Sequence, residues 1–209
     1  MDWMKLIPSE LHQKYEFHNY RYAVEIMSSS YPEEFQELMA LLSVLKIPKS
    51  DLIKSGGNES AIPKRINHVM RDFGWEEIRL SADLYVKKRY RSGANEENNI
   101  IENYVDGHNI DYVKGKIAFD LEWNSKDQTF DRDLYAFRAF FDCNVISAAV
   151  LLTRSEDLNP VFKELGIMSK YGASTTWMGK LKYRLDAGRN GGCPVLAIGI
   201  KREVVENDV

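Results

Sequence analysis

From Lys116 onward the chain alternates strictly. Ile117, Phe119, Leu121 and Trp123 fall on one side of an extended segment, and Lys116, Ala118, Asp120 and Glu122 on the other. The first set predicts a core face. With Lys114-Gly115 turning the chain as a short hairpin, Asp111 lies opposite Ala118 and diagonal to Asp120, so three carboxylates share the second face. Residues 77–87 alternate in the same way, with Ile78, Leu80, Ala82, Leu84 and Val86 on one side. The continuous apolar runs at 145–152 and 195–200 predict strands covered on both faces.

Between these segments the period changes to that of a helix. Pro32-Glu33-Glu34 opens a helix with proline and acids in its first turn, and Phe35, Leu38, Met39, Leu42 and Leu45 form its stripe. Ile62, Ile66, Val69 and Phe73 mark a second helix that ends at Gly74, and Phe130, Leu134, Phe137 and Phe141 a third. Ser155 caps a helix that Gly166 ends, and Thr175 or Thr176 caps another running through Leu185. The fold class expected is α/β, a mixed central β-sheet flanked by helices. One domain over 1–209 is expected, with an N-terminal helical part at about 1–74 and a core at about 75–209. No repeat, low-complexity tract or linker divides it.

Composition narrows the function. With 44% hydrophobic residues the chain can bury a substantial core. No apolar run approaches the roughly 20 residues of a membrane span, and the N-terminus lacks the basic start and apolar core of a signal peptide, so a cytoplasmic protein is expected. Cys143, at a core helix end, and Cys193, in a glycine-rich loop, fit reduced thiols better than a disulfide framework. His12, His18, His68 and His108 have no zinc-type spacing.

A net charge of −3 argues against a protein that coats nucleic acid generally, yet the charge is uneven. Lys87-Lys88-Arg89-Tyr90-Arg91 ends one strand, and Lys170, Lys180, Lys182, Arg184 and Arg189 share a segment whose only acid is Asp186. Either patch can hold phosphates, or can be an ordinary charged strand end and helix face. The glycine-rich loops at 56–58 and 188–192 match neither the P-loop nor the dinucleotide pattern.

The three acids carry the chemistry. Clustered carboxylates repel and raise one another's pKa, and a hard divalent cation, magnesium first, neutralises them. The plain alternative is the solvated outer face of an amphipathic hairpin. Lys116 beside the acids and the polar loop Asn124-Ser125-Lys126-Asp127 after them favour a site.

Asp111, eight intervening residues, then Asp120-Leu121-Glu122 resembles the Asp…(Asp/Glu)-x-Lys nuclease core, in the variant with glutamate or glutamine in place of the final lysine. Phe119-Asp120-Leu121-Glu122-Trp123-Asn124-Ser125-Lys126-Asp127, Phe130-Asp131-Arg132-Asp133-Leu134, Lys170-Tyr171-Gly172-Ala173-Ser174-Thr175-Thr176 and Gly191-Gly192-Cys193-Pro194-Val195-Leu196 are similar to the BglII and BstYI group of type II restriction endonucleases. The similarity covers the C-terminal half well and the N-terminal helices by general layout.

The resemblance implies a homodimer that grips a palindromic site in double-stranded DNA, with a site built around GATC as the group's pattern, and uses Mg2+, with Mn2+ as a substitute, to hydrolyse one phosphodiester per subunit. By position, Asp111 and Asp120 are the metal ligands together with the Leu121 backbone carbonyl. Glu122 stands at the third catalytic position, as metal ligand or proton acceptor. Glu59 is an outer carboxylate candidate. Asn124, Ser125, Lys126, Ser174, Thr175 and Thr176 are candidates for base contacts, and Lys170, Lys180, Arg189, Lys87 and Lys88 for phosphates. A cognate methyltransferase is implied genetically. A glycosidase using the acid pair, a nuclease without a fixed site and a non-catalytic DNA-binding module are the competing classes.

Overall fold

The alternating and apolar segments assemble around one mixed sheet in the computed structural model, which describes residues 2–54, 61–93 and 96–208. The strands are β1 (Tyr15–Tyr20), β2 (Ile47–Pro48), β3 (Glu76–Arg89), β4 (Glu96–Lys114), β5 (Ile117–Glu122), β6 (Ala148–Arg154), β7 (Val195–Ile200) and β8 (Val205–Glu206). The helices are α1 (Leu11–Lys14), α2 (Ala23–Ser30), α3 (Pro32–Val44), α4 (Lys49–Ile53), α5 (Ala61–Asp72), α6 (Thr129–Asp142), α7 (Asn159–Glu164) and α8 (Met178–Asp186). Six strands form the central sheet in the order β1-β7-β6-β5-β4-β3, while β2 and β8 pair separately. The centre is parallel, β5 with β6 and β6 with β7, and both flanks are antiparallel.

Each face of this sheet has its own core. On one, Ile117, Phe119 and Trp123 join Val150, Leu152, Leu196 and Ile198 under α2, α3 and α5. On the other, Ala118, Ala149, Leu151, Val195 and Ala197 pack beneath Phe130, Leu134, Phe137 and Phe140 of α6 and Met178, Leu181 and Leu185 of α8. The alternation in β5 therefore separates two buried faces, and the acid face is roofed by α6 rather than solvated. That is why Asp120 and Glu122 are only 6% and 7% exposed.

The hairpin between β4 and β5 departs from the expected register. Its turn is Gly115-Lys116, so Val113 faces Ala118 and Lys114 faces Ile117. Gly115 has φ +53°, in the left-handed region that favours glycine, and the end of the flexible Glu34 side chain lies where a Cβ would stand. The shift moves Asp111 from opposite Ala118 to opposite Asp120. It also takes Lys116 into the turn, where its ammonium meets Asn144 Oδ1 at 3.2 Å, away from the acids.

Other differences are local. The N-terminal part adds strand β1 to the sheet, antiparallel to β7. Residues 96–110, rich in asparagine, continue β4 and pair with β3 into a long two-stranded arm. Neither Thr175 nor Thr176 caps α8, whose N-cap is Trp177. Ser155 accepts from the Asp157 amide and caps a short 3-10 turn (Glu156–Leu158) that leads into α7, and Gly166 follows at φ +68°. Cys143 is exposed just past α6, while Cys193 is buried.

Candidate active site

Adjacent antiparallel strands position the first two acids. Asp111, on β4, donates its backbone N–H to Oδ1 of Asp120 on β5 at 2.8 Å. The Asp120 carboxyl is fully buried, and its pKa is raised well above the ordinary value by that burial and by the charges of Asp133 and Asp111, against the pull of the Asp111 amide. The Asp111 carboxyl lines a cavity of about 270 Å³ with Glu77, Gly107, His108, Asn109 and Arg132. Desolvation there, then Glu77 and Glu122, push it up, while Arg132 and Arg71 oppose.

Glu122 shares the acid face, two residues along, but its carboxylate turns toward α6. Oε2 accepts from Thr129 Oγ1 at 3.0 Å, and Oε1 lies 3.6 Å from Nη2 of Arg132. Arg132 also holds Asp133 at 3.2 Å. Asp133, 5% exposed, is pushed up by burial and by Glu122. Its Oδ2 is buried without a hydrogen-bond partner.

Two members of this cluster, Asp133 and Arg132, were not among the expected site residues. A signal for Asp133 exists, because it lies three residues after Phe130 and four before Phe137, on the stripe of α6 that is otherwise apolar. A carboxylate on a core stripe needs a partner. Arg132, its chain neighbour, supplies a guanidinium that reaches from α6 over the acids while 68% of its side chain stays exposed.

The donor set fits a hard divalent cation in kind, being carboxylate oxygens with a desolvated Asp120 at the centre and an orphaned Asp133 oxygen beside it. It is not a finished cage: among the described residues no group of three or more His, Cys, Asp or Glu is arranged to hold a metal ion. Asp111 and Asp120 adjoin, whereas Glu122 is committed to Thr129 and Arg132. Leu121 lies between the two β5 acids with its side chain against the opposite core. Glu59 and the loop at 56–58 lie outside the described residues.

Beyond Glu122 the two segments expected to meet bases come together. Lys126 and Thr175 form an isolated antiparallel bridge, and Asp127 N donates to Ser174 O at 3.0 Å. Thr176 is fully buried; its Oγ1 accepts from Ser125 N at 3.2 Å and donates to the Glu122 carbonyl at 3.3 Å. Its hydroxyl thus organises the loop. Asn124 takes φ +60°, and its Oδ1 is buried without a partner. The Thr175 hydroxyl receives Nη2 of the buried Arg154 at 2.6 Å.

The basic candidates are largely engaged within the protein. Lys170 Nζ donates to the carbonyls of Leu52 and Lys54 at 2.9 and 2.5 Å, and partial burial lowers its pKa. Lys180 lies 3.4 Å from Asp127, and Arg189 pairs with Asp131, which also takes Arg184 at 3.0 Å. Lys87 and Lys88 sit far out on the β3–β4 arm against Glu96 and Glu97, at 2.7 and 3.5 Å.

A mixed sheet that sets acids on two adjacent strands beneath one helix defines the restriction-endonuclease-like class. The sequence model of the restriction endonuclease BglII/BglIII family matches residues 15–200, and the chain belongs to that family. It is thus a type II restriction endonuclease by family, a nuclease whose partner is DNA. No individually curated protein matches the chain. No described helix is long and apolar enough to cross a membrane.

Proposed function

We propose that the protein cleaves double-stranded DNA at a short palindromic site with Mg2+, as a homodimer within a restriction-modification system. The observation that carries this reading is the desolvated Asp120 carboxyl, bonded to the Asp111 amide beside a cavity that Asp111 and Arg132 line. A buried carboxylate among other acids is costly, and a site that receives a cation offsets the cost. Asp111, Asp120 and the Leu121 carbonyl are the proposed ligands. When bound, the cation supplies Lewis-acid polarisation of the scissile phosphate and lowers the pKa of the attacking water.

The protein's own groups do the rest. Asp120, held by the Asp111 amide, fixes the position of the acid pair. Glu122 accepts a proton from the attacking water, or orients it, once DNA draws Arg132 away. Arg132, exposed at the cavity mouth, contacts a phosphate oxygen and carries charge that the missing lysine would carry. The joined 124–126 and 174–175 segments face the bases, with Asn124, Ser125 and Lys126 as the polar edge. Lys180 and Arg189 exchange their carboxylate partners for phosphates.

The test is incubation of the purified protein with long unmethylated DNA, with and without Mg2+, followed by sequencing of the ends. Discrete fragments sharing one short palindrome, absent without metal and absent with Asp120→Ala, are expected; a motif containing GATC would identify the subgroup. A metal-dependent smear would leave a nuclease without site specificity, and intact DNA with every metal would refute catalysis.

A further inference from the structure

Strand β3 is the edge of the central sheet and runs for 14 residues without proline or glycine. All three register shifts between β3 and β4 place their extra residues in β4, one, one and two in turn, and Gly107 and Asn103 take positive φ at the last two, so the inserted residues are not on the free edge. Of the usual means of blunting an edge, β3 has no proline, no bulge of its own and no shortness; it does carry charged side chains, which a partner strand has to match.

Its sequence is self-complementary. About Ala82, reading outward in both directions, Glu76 mirrors Lys88, Glu77 mirrors Lys87, Ile78 mirrors Val86, Arg79 mirrors Tyr85, Leu80 mirrors Leu84 and Ser81 mirrors Asp83. An antiparallel pair of identical strands with Ala82 on the two-fold axis makes these the cross-strand neighbours. Every apolar residue on the half-buried side then meets an apolar residue, Glu76 and Glu77 meet lysines, the third acid, Asp83, meets the Ser81 hydroxyl, and a guanidinium meets an aromatic ring. The side-chain parity also agrees, since the even-numbered residues alone form the half-buried face.

We propose that β3 is a docking edge for a second copy of this chain, which pairs antiparallel about Ala82 and continues the sheet through both molecules. Lys87 and Lys88 already touch Glu96 and Glu97, but each ammonium has three donors and can serve a second carboxylate. The open groove of about 340 Å³ between Ala82, Leu84 and Val105 on the arm and Tyr135 and Ala139 on α6 borders the same edge. Glu77 lines the acid cavity, and in this register two Glu77 residues lie ten positions apart, about 33 Å at the rise of a strand. That spacing is one helical turn of DNA, too far for both strands of one short palindrome. The contact is therefore a second association, separate from the pair that grips a site, and does not depend on the nuclease chemistry.

Single cysteines read the register directly. In the full chain with Cys143→Ser, Ala82→Cys is expected to give a disulfide-linked dimer on mild oxidation about tenfold or more faster than Ser81→Cys, because pairing holds the like thiols at millimolar effective concentration. A mixture of Arg79→Cys and Tyr85→Cys proteins is expected to crosslink as a heterodimer while neither does so alone. Sedimentation of the unmodified protein should show assembly beyond the dimer that grips a site, and Leu84→Lys should reduce it to that dimer. A monomer at high concentration, equal crosslinking at Ala82 and Ser81, or an assembly unaffected by Leu84→Lys would overturn the proposal, and association only with DNA or another protein would assign the edge to that occupant instead.

Discussion

The backbone N–H of Asp111 donates to Oδ1 of Asp120 across the β4–β5 ladder at 2.8 Å, so one acid of the site holds the other through its main chain. The bond favours ionised Asp120, yet burial and the neighbouring acids outweigh it. Asp120→Asn keeps an acceptor for that amide and deletes the charge. The variant should lose cleavage by about 10³-fold or more, as removal of an electrostatic element of a preorganised site does. In metal-free buffer at neutral pH it should also be more stable than the parent, each kcal/mol regained raising Tm by about 2–4 °C. Saturating Mg2+ should raise the parent's Tm and leave the variant's unchanged. Equal melting of the two proteins without metal would contradict the burial argument.

The same raised carboxyls fix the sign of the pH dependence without metal. Asp120, Asp133 and Asp111 bind protons more readily folded than unfolded, so they make stability rise as pH falls from neutrality through their folded pKa values. Asp131 beside Arg189 and Arg184, Asp157 beside Arg202 and Asp186 beside Lys182 are held below the ordinary range, and the stability they contribute above it is lost as pH falls through their folded values. Thermal melts in chelator should therefore peak on the mildly acidic side and decline below the usual carboxylate range. With Asp120→Asn, the rise on the neutral limb should flatten.

Arg132 touches both Glu122 and Asp133 from the mouth of the site. Arg132→Ala leaves two carboxylates without their cation and removes the proposed phosphate contact. We expect kcat to fall by about 10²-fold with a smaller change in DNA affinity, and Arg132→Lys to recover part of it, since lysine supplies the charge without the forked geometry. Single-turnover cleavage separates the two quantities. An unchanged kcat in Arg132→Ala would remove Arg132 from the chemistry.

How far the sequence led can be judged from these same residues. Asp111, Asp120 and Glu122 were legible as a shared face, because parity along a strand survives an error in register. The register itself was not, since it turned on whether Gly115 opens or closes a two-residue turn, and only the approach of Glu34 and the positive φ settle that. No element was expected over residues 96–106, whose asparagines are poor strand formers, and β3 holds them extended. Asp133 was missed for a different reason: it stands as one polar residue on the otherwise apolar α6 stripe, and only the packing of α6 over the acid face of β5 gives that position a role. Charge runs were the least informative, because a count along the chain cannot see that Asp127 and Asp131 meet Lys180, Arg184 and Arg189 in space.

Thr176 gives the sharpest separation of a structural from a base-reading role. Its side chain is inaccessible, and its hydroxyl joins the Ser125 amide to the Glu122 carbonyl, linking the loop before α8 to the end of β5. Thr176→Val preserves shape and deletes both bonds; the Glu122 carbonyl keeps the Thr153 hydroxyl at 2.9 Å, so the Ser125 amide is the group left unsatisfied, at a cost of about 1–3 kcal/mol if it cannot relax to water. The melting temperature should fall accordingly, and cleavage should slow because Glu122 and the 124–126 loop lose their common tether. The recognised sequence should stay the same, as determined by sequencing the ends from both proteins. A changed or relaxed site with unchanged stability would instead make Thr176 a reader of the bases.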